Sequence, residues 1–175
     1  MTARSRPGRP AAALMIAPVL ALAVSGGASA QDSANQGPLT YVGKSATTVV
    51  MASDLGPLDG SNQRTIWVWH FFGPNHERST PGAPYTRAVR TTVDCSDRTT
   101  INRAAEHLAG STFTSRLNLS DVATWSRVTE NTLGALPVKA LCDPAPAVPR
   151  ATYPNVAAAR ANADLRLKPP PAAAP

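Results

Sequence analysis

The chain has 175 residues, with 17 lysines and arginines against 11 aspartates and glutamates, giving a formal net charge of +6. Three of those arginines, Arg4, Arg6 and Arg9, fall in the first nine residues; without them 14 basic residues face 11 acidic ones. So mild an excess, scattered along the chain, is no electrostatic footprint for nucleic acid, which is excluded as the expected partner.

The three arginines precede an apolar run, Ala11 to Val24 (AAALMIAPVLALAV), and then Ala28-Ser29-Ala30. A basic region, a short apolar core and a small-x-small site predict an export signal over residues 1–30, cleaved after Ala30. The run is shorter than the ~20 residues of a spanning helix, and Pro18 interrupts it, so no membrane span is expected after cleavage. No twin arginine is present and no cysteine lies near the cleavage site. The expectation is therefore an exported protein, periplasmic or secreted, and not lipid-anchored.

At the other end, residues 144–175 are dense in proline and alanine and poor in large apolar side chains. That composition predicts a disordered tail, with at most a transient helix at Val156–Leu167. Residues 31–143 remain as one small domain, large enough for a single core.

Within that domain, Leu39–Lys44 and the β-branched run Thr47–Ala52 read as two strands. Asp54–Asn62 is a turn, with Asp59-Gly60 as its reversal point. Arg64–Phe72 (RTIWVWHFF) puts Thr65, Trp67, Trp69 and Phe71 on one face and Ile66, Val68, His70 and Phe72 on the other. Large apolar groups on both faces predict a central strand covered on both sides. Gly73–Pro84 is a long exposed hairpin loop carrying His76, Glu77 and Arg78.

Tyr85–Cys95 alternates again. Tyr85, Arg87, Val89, Thr91, Val93 and Cys95 share a face expected to meet the core. Thr86, Ala88, Arg90, Thr92 and Asp94 share a face expected to be wet, with Asp94 outward or capping a turn. A tight turn at Ser96-Asp97 leads to a further strand over Arg98–Leu108, and Ser111–Leu119 forms the last long strand. Trp125–Val128 leads out of the sheet. Thr132–Cys142 places Leu133, Leu136, Ala140 and Leu141 at helical spacing, and Pro137 is expected to open a final short turn.

The only two cysteines are Cys95 and Cys142. An even count in an exported chain predicts a disulfide, and with two cysteines only one pairing exists. Neither cysteine belongs to a C-x-x-C or has a flanking histidine, so a redox or metal site is not expected there.

Trp67-Val68-Trp69, Val93-Asp94-Cys95-Ser96-Asp97-Arg98, the lone Trp125 and Leu141-Cys142 occur in an order that resembles the surface-adhesin protein E domain of bacterial envelopes. The resemblance spans roughly Tyr41 to Asp143. It implies an α+β, mainly β fold: an antiparallel, meander-like sheet with a short C-terminal helix clamped to it by the disulfide. It also implies a binding role at the bacterial surface.

The expected function is thus a non-enzymatic exported module, monomeric, that binds a protein or glycan at the cell envelope or host surface. Its candidate contact residues are His76, Glu77 and Arg78 in the long loop and Arg90 on the polar strand face. A structural or assembly factor of the envelope, with the Pro/Ala tail as spacer, is the alternative. A small hydrolase would need a nucleophile beside a base, and no G-x-S-x-G elbow surrounds any serine. No catalytic residue, metal ligand or cofactor is expected.

Overall fold

A computed structural model of the chain describes residues 37–53, 55, 56, 58, 60–144 and 148–168. The expected export signal and Asp59 lie outside them. Eight strands form one antiparallel sheet: β1 (Leu39–Lys44), β2 (Thr48–Ser53), β3 (Gln63–Phe72), β4 (Tyr85–Asp94), β5 (Thr99–Ala109), β6 (Thr112–Asn118), β7 (Ser126–Arg127) and β8 (Thr152–Tyr153). Their spatial order is β6-β5-β4-β3-β2-β1-β8, with β7 pairing the start of β5 beyond the end of β6. The first six strands form an antiparallel meander, the arrangement that the resemblance implies. Among the described residues, two helices follow the meander, α1 (Ala135–Cys142) and α2 (Val156–Leu167).

The two faces of β3 generate two cores. Trp69 and Phe71 join Leu39, Val49, Met51, Ala88 and Leu108 on one side. Ile66 and Val68 join Val50, Ala52 and Val93 on the other. All six residues of β2 are buried, so the sheet is covered on both sides at its centre.

The second of these cores is closed by α1, through Val138, Leu136 and Leu141. The Cys95–Cys142 disulfide fixes this cover to the end of β4, with a Cα–Cα distance of 5.3 Å. Beside it, Arg98 in the β4–β5 turn pairs with Asp143 at 2.8 Å. Pro137 does not open the helix; it is the third residue of α1, where the amide has no intrahelical acceptor in any case. Gly43 on β1 matters to this cover. A Cβ there would stand 2.7 Å from Leu136 Cδ1, so only glycine lets α1 approach β1 this closely.

The first core is closed by α2, and here the expectation of a disordered tail over residues 144–175 is overturned for the described part. Tyr153 and Thr152 pair with Leu39 and Thr40 as an added edge strand. The Asn155 side chain accepts a hydrogen bond from the Ala158 amide and caps α2. Val156, Ala159 and Ala163 are buried against the sheet. Arg160 is buried between them. Its guanidinium donates to Phe72 O at 2.8 Å, Tyr85 O at 3.3 Å and Thr86 Oγ1 at 3.4 Å, and it pairs with Asp164 one turn on. Small alanines bring the helix close, and the arginine satisfies backbone carbonyls at the ends of β3 and β4. That combination, rather than bulky apolar side chains, fastens the helix.

The same helix corrects the expectation of a wet face on β4. Thr86 and Ala88 are buried, because α2 and β3 cover that half of the strand. Only Arg90 is exposed there, with Thr92 and Asp94 half-buried. Asp94 accepts from the Ser96 amide at 2.8 Å and caps the turn as expected. Strand β6 is exposed along its whole length, with Phe113 at 42% and Leu117 at 51%. A bulge opposite His107 and Leu108 puts those two side chains on different faces, so their alternation never becomes a shared apolar stripe.

The disulfide closes a loop of 47 residues, which in the chain-entropy account contributes about 4 kcal/mol. The double variant C95A/C142A is expected to lose about that much in urea unfolding. A loss below ~1 kcal/mol would mean that α1 is held by its apolar contacts alone.

Candidate functional site

The open end of the sheet, where the long loop joins β3 to β4, carries the densest set of rings in the described chain. Phe72 ends β3 and Tyr85 begins β4, so the antiparallel pairing sets them side by side at 5.3 Å between ring centroids. His76 of the loop lies 4.3 Å from Phe72 and 5.0 Å from Tyr85. His107 of β5 stacks on the other side of Tyr85 at 5.8 Å.

The loop that carries His76 has its own structure. The His76 amide donates to Gly73 O at 3.2 Å and the Ser79 amide to His76 O at 2.8 Å. The Ser79 hydroxyl donates to Gly73 O at 3.0 Å and accepts from the Tyr85 amide at 2.9 Å. Gly82, at φ +76°, makes the tight reversal between Thr80 and Ala83 that closes the loop.

These contacts fix proton positions. The Arg78 amide donates to His76 Nδ1 at 3.2 Å, so neutral His76 carries its proton on Nε2. The Arg78 guanidinium donates to the Tyr85 hydroxyl at 3.4 Å. The Tyr85 hydroxyl is also hydrogen-bonded to His107 Nδ1, with the direction set by the His107 tautomer. Burial first, then the nearby charges of Arg78 and Arg87, hold the His107 pKa below its usual value.

His70 lies further down the same sheet face, one strand from Arg87. Burial, and second the Arg87 guanidinium, push it down from 6.5 to about 4. His70 is therefore a neutral imidazole at physiological pH.

Of the residues singled out in the sequence, His76 and Arg78 join this cluster. Glu77 is exposed and, with His76, Gly73 and Thr47, lines an adjacent groove of about 440 Å³ whose far wall includes Leu167 of α2. Arg90 does not belong. It projects from the opposite sheet face, across from Trp67 and Ala104. Sequence reading passed over Tyr85 and His107 as contact residues. The signal for Tyr85 was its position at the strand end next to the loop; His107 had none, because a bulge in β5 determines which way it points.

Among the described residues, no group of three or more His, Cys, Asp and Glu side chains is arranged to hold a metal ion. No described helix is long and apolar enough to cross a membrane. Comparison of the chain with family models, curated proteins and solved structures finds no match in any of the three.

The low pKa of His70 has a consequence for stability. The unfolded chain protonates this histidine near 6.5, whereas the folded chain does so only near 4. Between these values the unfolded state binds more protons, so stability falls as pH falls through the window. The His70 contribution reaches roughly 3 kcal/mol at the lower end. Urea unfolding of H70Q at pH 7 and at pH 4 is expected to show an acid loss smaller by about that amount. An identical loss in both proteins would mean that His70 is not buried as a neutral group.

Proposed function

We propose that this chain is a non-enzymatic exported binding module of a bacterial envelope, similar in role to surface-adhesin protein E, and that it binds a protein or glycan through the loop end of its sheet. The single observation that carries the reading is the ring cluster of Phe72, His76, Tyr85 and His107. It is presented beside a groove of about 440 Å³, with the exposed Arg78 guanidinium 5.6 Å from the centre of the Tyr85 ring. Flat rings with a polar edge and an adjacent arginine are the side chains that anchor macromolecular contacts. They lose little side-chain entropy on binding, because the stack and the loop hydrogen bonds already hold them.

The disulfide supports the compartment part of the reading, since such bonds persist in oxidising environments. The predicted signal over residues 1–30 supports export. The loop supports a role in recognition, because its internal hydrogen bonds hold a twelve-residue connection in one shape without burying Glu77 or Arg78.

Solid-phase binding to a panel of matrix proteins, glycans and envelope fractions tests this. The ligand retained by the wild-type chain is expected to bind H76A/R78A at least about tenfold more weakly, the scale of one lost anchor. R90A, on the opposite face, is expected to bind as wild type. Equal binding by H76A/R78A, or no retention of the wild-type chain by any member of the panel, would overturn the proposal.

A further inference from the structure

A second concave site lies on the same sheet face as His70, further from the loop and next to α1. It is a pocket of about 170 Å³ between β3, β4 and β5, with Gly134 and Pro137 at the start of α1 forming one wall. Val68, Val89 and Val93 supply its apolar side, and Arg87, Thr91 and Asn102 its polar side. The antiparallel register explains the grouping, since alternate residues of β4 point to this face and their partners on β3 and β5 point with them.

Three features of the pocket concern charge. Among the described residues, Arg87 and His70 are the only ionisable ones lining it, and none of the lining residues is a carboxylate that would neutralise the guanidinium. The Arg87 Nε is buried and has no hydrogen-bond partner among the described residues. An unmatched buried N–H of a charged group is costly, and such groups in folded proteins ordinarily have an acceptor. His70 stays neutral down to about pH 4, so it offers a ring N–H without a second positive charge.

Asn102 is oriented for the same purpose. Its Oδ1 accepts from the Thr91 hydroxyl at 2.9 Å, which leaves the amide NH₂ to donate. The polar side thus presents donors around a single positive charge, and the valines and Pro137 present carbon.

We propose that this pocket is a binding site for a small organic carboxylate, held through its two oxygens by Arg87 and Asn102, with its short carbon part against Val68, Val89 and Pro137. One full charge matches a monoanion, and the planar guanidinium matches a planar carboxylate. A phosphate dianion would remain half-neutralised, with His70 uncharged. The volume lies well below the roughly 300–1,000 Å³ of pockets for drug-sized ligands, so the bound group has few heavy atoms. It is either a free short-chain acid or the carboxylate of an acidic sugar on a larger glycan. This site is independent of the ring cluster and does not rest on the adhesive reading.

The test is an NMR titration of the full chain, following the Arg87 Nε–H and the amides of Val89, Thr91 and Asn102. The probes are acetate, lactate and glucuronate, with chloride and inorganic phosphate as comparison anions. Acetate and lactate are expected to give saturable shifts at these positions, at concentrations where chloride and phosphate give none. Shifts with glucuronate as well would assign the carboxylate to an acidic sugar; shifts with the short acids alone would assign it to a free metabolite-sized acid.

R87Q is expected to weaken acetate binding at least tenfold, and R127Q, on the exposed strand β7, to leave it unchanged. Should R87Q fail to fold, Thr100→Phe keeps the arginine and fills one wall of the pocket, and is expected to block binding equally. Equal shifts with all anions, an absence of saturable shifts, or undiminished binding by a folded R87Q or Thr100→Phe would each overturn the proposal.

Discussion

Trp69 and Phe71 leave one side of β3 and Ile66 and Val68 leave the other, so this strand needs an apolar cover on each face. Burying one large side chain contributes about 1.5–3 kcal/mol, and both faces of the sheet centre are lined with them. A meander of six strands cannot cover itself. The C-terminal third of the chain supplies both covers, α1 on one side and α2 on the other. The two are fastened by different chemistry. The first is tied by a covalent bond from Cys142 to Cys95, at the end of β4. The second is tied by a buried guanidinium, Arg160, that lies over the Phe71 ring and satisfies Phe72 O and Tyr85 O.

These two attachments also shape the surface that remains. Arg160 holds the ends of β3 and β4 from one face, at Phe72 and Tyr85. On the other face those same two residues begin the ring cluster with His76 and His107. The rings are therefore mounted on backbone that α2 has fixed, and Leu167 at the end of α2 reaches the groove beside them. On the α1 side, the helix start walls the pocket that contains Arg87. Both concave sites exist because a helix packs on a sheet that is already complete in hydrogen bonding at its centre.

Much of this was legible in the sequence. Alternation over Arg64–Phe72 gave both faces of β3, and the even cysteine count gave the disulfide, because each signal is local or arithmetic. The helix at Val156–Leu167 was legible only as a transient one, and its docking on the sheet was not, for a physical reason. Composition weighs alanine and proline as poor core material, yet Val156, Ala159 and Ala163 recur at helical spacing behind the Asn155 cap. Their smallness is what lets α2 approach the sheet. Arg160 in the same row counts as polar in any hydropathy pattern, although its partners are buried carbonyls. At the candidate site, the loop residues His76 and Arg78 could be picked out by exposure alone. Arg90 could not be separated from them, since two faces of one sheet look alike until something covers one of them. The bulge in β6 hid in the same way, because a regular alternation of Phe113, Ser115 and Leu117 gives no sign of a register shift.

The alanine-rich C-terminal segment is a structural layer of the fold rather than a tail. Amide hydrogen exchange on the oxidised full-length chain tests it most directly, read at residues 159–167 of α2 against the amides of β3. The α2 amides are expected to be protected by at least about 3 kcal/mol of opening free energy, approaching the value for the sheet centre. Exchange of residues 159–167 at the rate of an unfolded peptide, while β3 remains protected, would contradict it.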